Sequence, residues 1–107
     1  MSSTIKAQVL SKAIELWTDP KKRIRDDFEM DGAYCAMGVL RQAAFEIEGA
    51  YAFDPEHWKG DNDSGAERLA GYIGLTPERV IEINDDSRFG PKLMYRLMKR
   101  HFAKELT

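Results

Sequence analysis

The segment from Asp31-Gly32 to Gly49 limits the fold of this chain more than any other. Between an Asp-Gly pair that opens a helix and a glycine that terminates it, Tyr34, Met37, Gly38, Arg41, Ala44, Phe45 and Glu48 follow one helical line. Cys35, Val39, Ala43 and Ile47 fall beside it. Apolar side chains therefore cover well over half the circumference of a helix over 33–48, and such a helix has to be contacted on several sides. Gly49 is its C-cap. A chain of 107 residues has room for one domain built around it.

The flanking segments supply the elements that would make those contacts. Ser3 or Thr4 is an N-cap for a helix over residues 4–18, with Ile5, Val9, Ala13, Leu16 and Trp17 at helical spacing. Asp19-Pro20 stops it, because a proline disfavours the α conformation of the residue before it. Ser64 and Glu67 fit a capping box for a helix that uses Leu69, Ala70 and Ile73 and stops at Gly74. Thr76-Pro77 starts the next, with Val80, Ile81 and Ile83 buried and Asn84 at its end. Gly90-Pro91 precedes a long helix to about Leu106, whose apolar face is Leu93, Met94, Leu97, Met98 and Phe102. Residues 50–63 form a connector in which Asp54-Pro55 signals one short helical turn carrying Trp58 toward the core. Residues 20–31 have little periodicity and read as a loop that brings Ile24, Phe28 and Met30 onto the core; the alternative is a β-hairpin near 21–30. The expected fold is all-α, about five helices packed around the central one (33–48).

Charge and composition narrow the function classes. Sixteen Lys and Arg against eighteen Asp and Glu give a net charge of −2, which argues against attraction of the whole protein to nucleic acid or to an anionic membrane. A local basic face remains open. No apolar run exceeds the eight residues from Ala33 to Leu40, too few to span a bilayer, so no membrane partner is expected. Residues 1–6 lack the charged-then-apolar layout of a signal peptide, and a single cysteine excludes an intramolecular disulfide. These features together fit a reducing cytoplasm.

Cys35 is the first chemical candidate. Near the start of a helix, unpaired amides and the positive end of the dipole favour a thiolate. A minimal cysteine-dependent hydrolase would pair Cys35 with His57 and one of Asp54, Asp61 and Asp63. The structural alternative is a small core residue among Ala33, Ala36 and Val39. Asp61-Asn62-Asp63-Ser64-Gly65 has the look of a calcium loop, but with Gly65 in the sixth place Gly60 and Gly71 would stand where ligands are required. Neither histidine has a partner at metal-binding spacing, so no metal or cofactor is expected. Asn84 and Asp85 are read as structural polar residues, Asn84 in the left-handed conformation at a helix end and the aspartate capping the turn after it.

The last helix is basic. Lys92, Arg96, Lys99 and Arg100 lie along one outward stripe, with Lys104, Tyr95 and His101 among them. A second basic cluster, Lys21-Lys22-Arg23 with Arg25, sits in the first loop. Brought together, the two would face phosphates or an acidic protein surface.

Two stretches, Tyr34-Cys35-Ala36-Met37-Gly38-Val39-Leu40 and the later pair Asn84-Asp85 followed by an amphipathic helix from Pro91, resemble an uncharacterised family of small tailed-phage and actinobacterial proteins. The similarity runs over residues 34–102. It carries no known activity and implies a small accessory protein, in the host cytoplasm if phage-encoded. Gly38 would then mark a close contact between helices. The expectation is a protein-binding module, monomer or homodimer, acting on a host or viral macromolecule through the outer face of the last helix. The alternatives are the hydrolase and a nucleic-acid-binding accessory protein.

Overall fold

A computed structural model describes residues 4–25, 29–58, 64–86 and 90–106. Five helices account for most of them: α1 (Ile5–Leu16), α2 (Ala36–Glu48), α3 (Ser64–Gly71), α4 (Pro77–Asn84) and α5 (Gly90–Glu105). Helix α2 is central, as its apolar circumference requires. It packs against α1, α3 and α4 and touches α5. Val39, Leu40, Ala43 and Ala44 of α2 join Leu10, Trp17, Leu69, Val80, Met94 and Met98 in one hydrophobic core.

Most helix ends follow from their capping residues. Thr4 accepts a hydrogen bond from the Ala7 amide and Thr76 one from the Arg79 amide, each satisfying an amide that the helix itself leaves open. Gly49 closes α2 at φ 65°, and Gly74 turns the chain after α3 at φ 72°, conformations that favour glycine. The side chain of Ser64 lies outside the described residues, and the expected capping box there with it.

The segment before α2 holds the strands. Strand β1 (Glu29–Met30) pairs antiparallel with β2 (Ala33–Tyr34), turning through Asp31 at φ 51° and Gly32 at φ 80°. Arg23 also bridges Tyr34 in parallel. The hairpin thus centres on Asp31-Gly32 rather than within 21–30, and α2 starts three residues after Ala33. The Asp-Gly pair, read as a helix opening, is the tight turn of a hairpin. Met30 is 52% exposed and is not delivered to the core, whereas Phe28 lies outside the described residues.

The connector also differs in detail. Its short 3-10 turn is Tyr51–Phe53, one step before Asp54-Pro55, and the fully buried side chain is Phe53. Trp58 packs half-buried against the core, 6.2 Å from the Phe53 ring. Among the described residues no helix is long and apolar enough to cross a membrane.

Candidate functional site

The start of α2 is a hydrogen-bonded junction of four segments. The Tyr34 carbonyl accepts from the indole of Trp17 at 2.8 Å and from the Ile24 amide at 3.0 Å, using both lone pairs. Cys35 is the N-cap of α2, its Sγ accepting from the Gly38 amide at 3.4 Å. Asn84, only 1% exposed at the end of α4, accepts from the Ala36 amide at 3.0 Å through Oδ1. Its Nδ2 donates to the Ile24 carbonyl at 3.1 Å. The Ala36–Asn84 hydrogen bond joins segment 34–40 to the end of α4, and Ile24 bonds to both.

That geometry bears on the enzyme candidate. Cys35 is buried, and burial pushes its thiol up to about 11, so the sulfur is a protonated thiol at neutral pH. The Gly38 and Met37 amides pull the other way but are outweighed, and the Asp85 charge adds to the rise. His57 is turned to a different partner: its Nδ1 lies 3.0 Å from the Tyr51 hydroxyl, with the two rings stacked at 3.9 Å. The turn before it is held to α2 at Arg41, about 9 Å along the axis from Cys35 at 1.5 Å per residue. Asp54 caps its own turn by accepting from the Glu56 amide at 2.9 Å. Asp61 and Asp63 lie outside the described residues. The structure does not assemble Cys35 and His57 into a hydrogen-bonded pair. Among the described residues, no group of three or more His, Cys, Asp and Glu side chains is placed to hold a metal ion.

Asn84 is helical rather than left-handed, and Asp85 follows it at φ −86°, ψ −2°. The expectation of a left-handed cap fails because the Asn84 side chain is turned inward to the Ala36 amide and the Ile24 carbonyl. A further buried polar residue is Arg41, 2% exposed, which donates to the Phe53 carbonyl at 2.7 Å and to Gln42 at 2.9 Å, with Glu29 at 3.5 Å. It ties the hairpin and the connector to α2. Its place on the apolar line between Met37 and Ala44 was the signal.

The basic residues form a different kind of site. Helix α1 ends beside Tyr95 of α5, with Trp17 edge-on to the tyrosine ring at 6.5 Å. Arg23 donates to the Trp17 carbonyl at 2.8 Å and the Thr18 carbonyl at 3.1 Å, occupying acceptors at the end of α1. The same guanidinium lies over the Tyr95 ring, 4.0 Å from its centroid, and Lys99 approaches that ring at 5.3 Å. One aromatic side chain therefore joins the first-loop cluster to the α5 stripe.

Lys21, Lys22, Lys92, Arg96, Lys99 and Arg100 are all exposed. Among the described residues, Lys92, Arg96, Lys99 and Arg100 form no ion pair, whereas Lys12, Arg41, Arg68 and Arg79 each meet a carboxylate. Comparison with protein-family models, with curated proteins and with solved structures finds no match for this chain.

Proposed function

We propose that this protein is a binding module that docks on an acidic surface of a protein partner. The docking face is the one where Arg23 and α5 meet around Tyr95. The observation that carries the reading is the Arg23–Tyr95–Lys99 cluster, which fuses two basic segments distant in sequence beside cations that pair with no carboxylate among the described residues. Like charges gathered on one face repel one another, and an acidic partner relieves that cost and steers association. Because the whole chain carries −2, the attraction is local to this face. In line with the family resemblance, the protein is an accessory factor acting in the cytoplasm on a host or viral macromolecule.

A nucleic-acid partner is the second reading, favoured by the same fusion of basic clusters. It is weakened by Tyr95, whose ring already has Arg23 over it at 4.0 Å and is not free to stack on a base. The test is a titration of isotope-labelled protein at low salt with octaglutamate and, separately, with a short DNA duplex. The reading predicts amide shifts at Arg23, Tyr95, Arg96 and Lys99 with octaglutamate that fade as salt rises. Absence of shifts on α5 with octaglutamate would contradict it, and binding of the duplex alone would replace it with the second reading.

A further inference from the structure

The face of α5 that carries the basic stripe changes character along its length. Lys92, Arg96 and Lys99 occupy its first turns, and Lys99, Phe102, Ala103 and Leu106 continue the same line at spacings of three and four. Beyond Lys99 this line borders a groove of about 240 Å³ between α1 and α5, lined by Ser11, Ile14, Lys99, Phe102, Ala103 and Leu106. Helices α1 and α5 run antiparallel here, as shown by Thr4 at Glu105 and Trp17 at Tyr95. The groove floor is apolar. Leu106 is 59% exposed, which leaves a large apolar surface unused at the end of a helix whose other end is cationic.

We infer that the groove and the basic face are one bipartite docking surface. Its occupant is an acidic amphipathic segment of a partner protein, with carboxylates against Lys92, Arg96 and Lys99 and one large apolar side chain between Ile14 and Leu106. The inference rests on the proposed basic docking face and names the chemistry of the partner. Lys99 belongs to both halves, lining the groove and reaching Tyr95, so the two surfaces are continuous. Charge complementarity selects an acidic ligand. The groove then distinguishes a peptide from a nucleic acid, because a phosphate backbone has nothing to bury there, whereas a leucine or phenylalanine does.

The probes are fluorescein-labelled octaglutamate, the same peptide carrying a Leu-Phe pair at its N-terminal or its C-terminal end, and a DNA duplex. Burial of one apolar anchor predicts that one of the extended peptides binds about tenfold tighter than octaglutamate. Leu106→Gln and Ala103→Gln, both at exposed positions, should remove that gain and leave octaglutamate binding unchanged. Octaglutamate binding with no gain from either extension would overturn the bipartite surface while the basic face stands. No binding of any acidic peptide would overturn both. Concentration-dependent self-association abolished by Leu106→Gln would also overturn the inference, because a second copy of the chain would then cover the groove.

Discussion

The Oδ1 atom of Asn84 accepts a hydrogen bond from the Ala36 amide at 3.0 Å, so the last residue of α4 caps the first turn of α2. The two residues are separated by 48 positions in sequence, and the bond closes the chain around its central helix. With Nδ2 on the Ile24 carbonyl, Asn84 satisfies one buried donor and one acceptor of two other segments. Asn84→Ala should therefore cost about 2–4 kcal/mol, since it strands both backbone groups. Asn84→Asp keeps the acceptor for Ala36 but cannot donate to Ile24 in its charged form, and it should fall well short of wild type. Urea unfolding of the three proteins checks the order.

Gly90 is a point of close approach between α4 and α5. A Cβ there would stand 2.1 Å from the Asn84 carbonyl oxygen and 2.9 Å from that of Ile83, both backbone atoms that cannot swing aside. Gly90→Ala should destabilise by more than about 2 kcal/mol, although alanine is the better helix former. A melting temperature equal to wild type would show that the α4–α5 junction is looser than described.

Cys35 acts as a cap, and its variants separate that role from catalysis. Cys35→Ser preserves a side-chain acceptor for the Gly38 amide and should stay within about 1 kcal/mol of wild type, whereas Cys35→Ala should lose about 1 kcal/mol of helix capping. In the folded protein the thiol should react with a maleimide far more slowly than a free cysteine does at pH 8, and unfolding should release it. Rapid alkylation of the native protein would contradict a buried, protonated thiol.

His101 makes stability depend on pH. Its ring lies against Gly74, 3.4 Å from where a Cβ would stand. Burial first, and then the charges of Lys104, Lys6 and Arg100, hold its pKa below the ordinary value, with Glu105 opposing. The folded state thus binds the proton less readily than the unfolded state. Stability contributed by the neutral ring is present above the unfolded pKa of about 6.5 and is lost as pH falls through that value toward the lower folded one. Melting temperature should drop between pH 7 and pH 5 in wild type, and His101→Gln should flatten that part of the profile.

Sequence reasoning reached the helices through their punctuation. Thr4, Gly49, Gly74 and Thr76-Pro77 state local rules that tertiary packing did not overrule, and the apolar circumference of 33–48 placed α2 at the centre. The start of α2 was misplaced because Asp31-Gly32 serves a hairpin turn as readily as a helix entry, and the strand pairing that decides between them is not a local property. Asn84 was legible as a structural polar residue, but its partners lie 48 and 60 positions away, beyond any periodicity. The α5 stripe could be read from helical spacing, whereas its union with Arg23 through Tyr95 depends on where α1 ends in space.

The basic face around Tyr95 is tested most directly by reversing its charge. Arg96 and Lys99 are exposed and form no ion pair among the described residues, so Arg96→Glu with Lys99→Glu should leave folding intact. The measurement is the affinity for octaglutamate at low ionic strength, wild type against the double variant, with circular dichroism confirming equal helix content. The double variant should lose tenfold or more in affinity, on the order of 1.4 kcal/mol or above. Equal affinity of the two proteins would contradict it.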